Sequence, residues 1–190
     1  MLIVSQNMSQ YSISFPNDVI YRINLAWINN IQELEELIKK HHKQNIFIDL
    51  PINRIKPPNN KYSLDDIVPI LNSYKNIKYS AISNVNSAKD LEQYAQLVPK
   101  KIIIFPKIES PDGISNVSEI VKAIPSQEKI LMLDHDDLFS ALTKLNEQQS
   151  KFRDYIDELV TFCNENNITL LRTIGVIFSD EEKRITEYIN

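Results

Sequence analysis

The sequence predicts an α/β protein built on parallel strands, and three observations carry that expectation. Short apolar, β-branched runs recur along 190 residues, and amphipathic stretches with helix-start signals separate them. From the third run onward the starts recur about every 23 to 40 residues, the spacing of repeated βα units with right-handed crossovers. Most runs are continuous rather than alternating, as expected for strands buried on both faces. Periodicity alone fits a barrel and an open doubly wound sheet equally.

The strand runs, in order, are Leu2–Val4, Val19–Leu25, Ile46–Leu50, Tyr79–Ser83, Ile102–Ile108, Ile130–Leu133 and Thr169–Val176. The intervening helices are announced by caps, whose side-chain oxygens accept from otherwise orphaned backbone N–H groups. Asn30 precedes Glu33 by three, and Leu34, Leu37 and Ile38 follow at helical period. Ser63-x-x-Asp66 opens Ile67–Tyr74, Ser87-x-x-Asp90 opens Leu91–Val98, and Asn116-x-x-Glu119 opens Ile120–Ala123. One or two helices are expected between Leu138 and Asn166, and a terminal helix over Asp180–Ile189. Pro51–Lys61, with Pro57-Pro58-Asn59-Asn60, reads as a stiff surface loop within a single domain spanning 1–190.

Composition narrows the function classes. Hydrophobic residues make up 43% and charged residues 24%, ordinary for a globular chain. A net charge of −4 argues against nucleic acid or an anionic membrane as partner. Trp27 and the tyrosines form no stacking stripe for single strands. A single cysteine, Cys163, excludes an intrachain disulfide and a cysteine zinc cluster, and it reads as a buried helix-face thiol. Gly113 and Gly175 are the only glycines, which excludes a P-loop and a G-x-G-x-x-G turn. Residues 1–8 read as neither signal peptide nor anchor, and no run is long enough to span a membrane, so a cytoplasmic protein is expected.

In parallel α/β folds chemistry sits at the C-terminal ends of strands. Those ends supply Arg22 and Asn24, then Asp49, Ser83 with Asn84, Lys107 and Glu109, Asp137 after His135, and Arg172 with Thr173. Arg22 and Asn24 are two apart and share a strand face, as do Lys107 and Glu109. Two strand-end carboxylates beside a lysine suit a hard divalent cation next to a fixed positive charge. Each residue also has a plainer reading. Asp49 before Pro51 could shape a turn, Asp136 or Asp137 could cap the helix at Leu138, and Lys107–Glu109 could be a structural ion pair. His135 reads first as a packing or hydrogen-bonding residue. His41-His42, among Lys39, Lys40 and Lys43, reads as solvated surface.

Several segments resemble pyruvate kinase. Arg22-Ile-Asn24-Leu-Ala26 is similar to its R-x-N-x-S strand, and Phe47-Ile-Asp49-Leu-Pro51 with Arg54 to its D-x-x-G-P-x-x-R stretch. The segment from Ala81 to Ala88 resembles S-F-V-R-S-A. Lys107-Ile-Glu109, running on to Gly113 and Asn116, resembles K-I-E-N-x-E-G-V-x-N. Met132 to Leu138 resembles M-V-A-R-G-D-L-G. The P-K-[IV]-E and D-L blocks also mark the citrate lyase β-subunit and the hydroxy-keto-acid aldolases, within the phosphoenolpyruvate/pyruvate-binding TIM-barrel superfamily.

The resemblance, over residues 18 to 178, implies a compact or truncated (β/α)8-type TIM barrel with about seven recognisable strands. It implies Glu109 and Asp137 as ligands of Mg²⁺ or Mn²⁺, with Lys107 and Arg22 as catalytic groups. Arg22, Asn24, Asp49, Ser83 and Thr173 are the implied substrate-binding residues. The expected activity is enolate chemistry on a pyruvate or 2-oxo-acid-type substrate, as a C–C lyase or aldolase. A drifted barrel serving binding or assembly is the alternative. The kinase's lid and regulatory domains are absent from the chain. Ala26, Leu50, His135, Asp136 and Phe139 replace family residues, so true pyruvate kinase activity is not expected. A phosphoenolpyruvate-like ligand also fits, and the shortened barrel implies a homo-oligomer.

Overall fold

The structure, a computed structural model, describes residues 3–6, 16, 18–52, 61–148 and 150–172. Arg54, most of the expected loop at Pro51–Lys61, Thr173 to Val176 and the expected terminal helix lie outside these. The fold is mixed α/β with parallel strand pairing, in two compact units: Met1–Ser83 with Glu92–Phe105, and Asn84–Leu91 with Pro106–Asn190.

In the first unit, β1 (Ile3–Ser5), β2 (Ile20–Asn24), β3 (Asn45–Leu50) and β4 (Ile77–Ile82) pair in parallel in chain order. From Ile46 onward every residue of β3 is buried, which is why its sequence does not alternate. In the core Phe47 packs against Phe105 with ring centroids 5.1 Å apart, and half-buried Tyr79 lies against the same ring at 5.2 Å. Helix α1 (Ile31–Lys40) starts where Asn30 accepts from the Glu33 N–H at 2.9 Å. Helix α2 (Leu64–Ser73) starts on a full capping box between Ser63 and Asp66. His41 departs from its expected place on the surface. It is 8% exposed and stacks on Tyr21 at 3.7 Å between ring centroids. The flanking lysines point to water, but the C-cap position turns this one ring inward, where burial lowers its pKa.

Helix α3 (Ala88–Leu97) and strand β5 (Ile103–Ile108) each have residues in both units. The second unit adds α4 (Pro111–Ser115), α5 (Val117–Ala123), β6 (Ile130–Leu133), α6 (His135–Lys144), α7 (Lys151–Glu165) and β7 (Thr169–Arg172). Strands β5, β6 and β7 pair in parallel, with Ile108 opposite Leu133 and Leu133 opposite Arg172. Cys163 is buried on α7, as expected of a helix-face thiol, and burial raises its pKa to about 11. Among the described residues no helix is long and apolar enough to cross a membrane.

Two helix starts differ from expectation. Asn116 provides no side-chain cap for α5: it is also the C-cap of α4, with φ −99° and ψ 10° instead of the extended backbone of an N-cap, and its side-chain NH2 donates to the Asn86 carbonyl at 2.8 Å. Helix α6 is capped by Asp134, neither Asp136 nor Asp137, and begins three residues earlier than Leu138. Gly113, inside α4, answers to tertiary packing. A Cβ there would lie 2.7 Å from the Val85 carbonyl oxygen. Alanine normally improves a helix by about 1 kcal/mol over glycine. Here Gly113→Ala is expected to destabilise by about 1–3 kcal/mol instead, the usual cost of forced overpacking. A urea midpoint that falls at constant m-value is the expected result.

Candidate functional site

The second unit holds a carboxylate cluster that its strand register builds. Ile108 and Leu133 are partners across β5 and β6, so the residues that follow them, Glu109 and Asp134, emerge side by side. Asp137 lies one helical turn beyond Asp134, in the first turn of α6. One carboxylate oxygen each from Glu109, Asp134 and Asp137 lies within 4.8 Å of the others. Asp134 Oδ1 accepts from the Asp137 N–H at 3.3 Å. The partial positive charge of the helix N-terminus favours both acidic groups there.

Lys107 and Glu109 share a strand face, and their side chains meet. Lys107 Nζ is 2.7 Å from Glu109 Oε1, with side chains 4% and 1% exposed. The other oxygen, Oε2, accepts from the Asn84 N–H at 2.9 Å. Burial raises the Glu109 pKa. The Lys107 ammonium opposes that shift, while the Asp134 and Asp137 charges add to it. The carboxylate is thus held in a place where further positive charge is favourable.

His135 follows the cap and is buried. Arg172 Nε donates to its Nε2 at 3.3 Å, and Phe152 packs edge-on against the ring. Burial first, and then Arg172, lower its pKa to about 4. The imidazole is therefore neutral at pH 7, in the hydrogen-bonding and packing role expected of it.

Other residues singled out in sequence lie in the first unit. Arg22 Nε donates to Asp49 Oδ2 at 3.0 Å, its Nη2 contacts the same oxygen, and its guanidinium lies 5.9 Å from the Phe47 ring centroid. Asp49 is fully buried. The register that sets Arg22 opposite Phe47 also sets Asn24 opposite Asp49. The Asn24 side chain caps the 3-10 turn Leu25–Trp27 by accepting from the Ala26 N–H. Ser83 is buried. Thr173 lies outside the described residues. Lys107, Glu109 and Asp137 are thus brought together in one unit, and Arg22, Asn24 and Asp49 in the other.

Sequence reasoning missed Asp134. The available signal was its position directly after an apolar run, matching that of Glu109 after Ile108. No protein family and no curated protein is matched by this chain. Among solved structures, the crystal structure of RipC from Yersinia pestis is similar, with a TM-score of 0.60 and 16% identity. The match covers 98% of this chain and 83% of that one. At that identity the likeness is one of fold.

Proposed function

We propose that the protein carries out divalent-metal-dependent enolate chemistry on a pyruvate or 2-oxo-acid-type substrate, as a C–C lyase or aldolase. One observation carries the reading: three carboxylates, from Glu109, Asp134 and Asp137, converge beside the buried Lys107 ammonium. The donor set fits a hard cation such as Mg²⁺ or Mn²⁺, which takes carboxylate oxygens and leaves positions for substrate and water. Glu109 and Asp137 would hold the ion, with Asp134 as a third donor. When bound, such an ion supplies charge that stabilises an enolate oxygen.

The chain's own residues supply the rest. Lys107 places a fixed ammonium, shielded from water, where negative charge develops on the substrate oxygen, and its attraction is strengthened by the low-dielectric surroundings. Arg22 is assigned to the substrate carboxylate, with Asn24, Asp49, Ser83 and Thr173 as its companions. That assignment rests on the pyruvate-kinase-like segments, as does the compact or truncated (β/α)8-type barrel, whose shortened wall is the reason to expect a homo-oligomer.

One observation favours the alternative, a drifted barrel used for binding or assembly. Lys107 pairs directly with Glu109 and so balances its charge without a metal. A titration separates the two. With Mn²⁺ or Mg²⁺ plus oxalate at about a hundred times the dissociation constant, stability is expected to rise by about 2.7 kcal/mol. At this chain length that is on the order of 5–10 °C in melting temperature. Glu109→Gln removes the shift. Wild type is also expected to exchange the methyl protons of pyruvate with deuterated solvent only when the metal is present. No shift and no exchange would favour the binding protein.

A further inference from the structure

The residues after β4 leave the first unit and belong, as Asn84–Leu91, to the unit that holds the acidic cluster. Several contacts fasten their first turn to the end of β5. The Asn84 N–H donates to Glu109 Oε2 at 2.9 Å, and the Val85 N–H donates to the Lys107 carbonyl at 3.2 Å. Ser110 Oγ is bonded to Asn86 Oδ1, and the Asn116 amide donates to the Asn86 carbonyl at 2.8 Å. Gly113 lets the Val85 carbonyl approach to a distance that any Cβ would obstruct.

The conformation of Asn84 is what aims the first of these bonds. Its φ is 55°, in the left-handed region that asparagine tolerates and glycine adopts freely, while β-branched residues avoid it. The bond goes to a carboxylate that is 2% exposed and carries like charges nearby, so its orientation needs more than the Lys107 ammonium on one side. A backbone N–H on the second oxygen fixes the plane of the carboxylate and favours its charged form.

We propose that Asn84 is the positioning residue for Glu109: its left-handed backbone holds the carboxylate by Oε2 and leaves Oε1 to Lys107. The consequence for metal binding rests on the reading of Glu109 as a ligand. The hold itself does not. Neither the K-I-E block nor the D-L block reveals such a residue, because it acts through its main chain from a segment some twenty-five residues upstream.

Two measurements on the full chain test this. The first needs no metal. Urea unfolding is compared for Asn84→Val in wild type and in a Lys107→Met/Glu109→Leu background, which removes the buried pair together. The strain of valine in the left-handed region is common to both arms and cancels. The unfolding constant is expected to rise roughly tenfold more in the background that keeps Glu109, the order lost with one hydrogen bond to a charged group. Equal increases in both backgrounds, within about twofold, would overturn the proposal. Asn84→Ala, a milder departure, replaces the valine variant if that variant does not fold.

The second measurement is the Mn²⁺ dissociation constant of the folded variants, read by electron paramagnetic resonance. Asn84→Val is expected to weaken binding about tenfold, and Asn84→Gly to keep it within about twofold, since glycine preserves the backbone. A merely structural turn would lower the melting temperature of the valine variant and leave its Mn²⁺ affinity intact, which would overturn the positioning role. Wild type that binds no Mn²⁺ would instead overturn the metal reading of the cluster. The metal-free cycle then still decides whether Asn84 holds Glu109.

Discussion

Lys107→Met is expected to destabilise the protein by about 3–5 kcal/mol at neutral pH, the usual cost of leaving one charge of a buried pair without its partner. Glu109 would stay buried with Asp134 and Asp137 nearby, and its pKa, already raised, would rise further once the opposing ammonium is gone. The sign of the pH dependence follows. An acid whose folded pKa is raised destabilises fully above that pKa. The loss shrinks as pH falls through it and vanishes below the ordinary value of 4.5. Unfolding of the variant at pH 7 and pH 5 should therefore show a smaller deficit at pH 5. The double variant Lys107→Met/Glu109→Leu should recover most of it, because removing both charges removes the desolvation cost with them. Metal-dependent proton exchange into pyruvate should fall about a hundredfold in the single variant, the typical order for one lost electrostatic donor. An equal deficit at both pH values would mean that Glu109 is not the group left exposed to the change.

Arg22→Met is expected to have a comparable effect in the other unit. Asp49 is fully buried and takes an ion pair from Arg22. Stripping it of that pair should cost about 3–5 kcal/mol, on the order of 10 °C in melting temperature at this length. Arg22→Met with Asp49→Leu should be less destabilised than Arg22→Met alone. A loss within about 0.5 kcal/mol, typical of surface changes, would show the pair to be unimportant for stability. The variant also tests the substrate assignment. If Arg22 anchors a carboxylate, Arg22→Met, measured under conditions where it is folded, should bind oxalate at least tenfold more weakly.

Much of the fold was legible because local and tertiary demands coincide. The runs at Ile46, Ile102 and Ile130 are apolar on both faces apart from Asp49 and Lys107 near their ends, and the strands fall within one or two residues of those runs. Asn30 and Ser63 cap as written, since a cap is a bond between residues three apart. The failures share a different cause. Asn116 has the right spacing for a cap, but it also ends α4, and its side chain is oriented by the bond it donates to the Asn86 carbonyl, thirty residues away. Five-residue α4, holding a glycine, has no period to detect. His41 sits among lysines, and Tyr21, twenty residues upstream, draws it inward.

The same division runs through the candidate site. The chain by itself determined which charged groups stand at strand ends, and that Lys107 and Glu109 share a face, because strand side chains alternate with period two. Tertiary structure decided how those charges are used. It paired Lys107 with Glu109 and Arg22 with Asp49, added Asp134 to the cluster, and brought the Asn84 backbone onto Glu109. The interaction of charges depends on distance and burial. For groups on different strands both are set by register and by the turns that follow, which spacing along the chain does not encode.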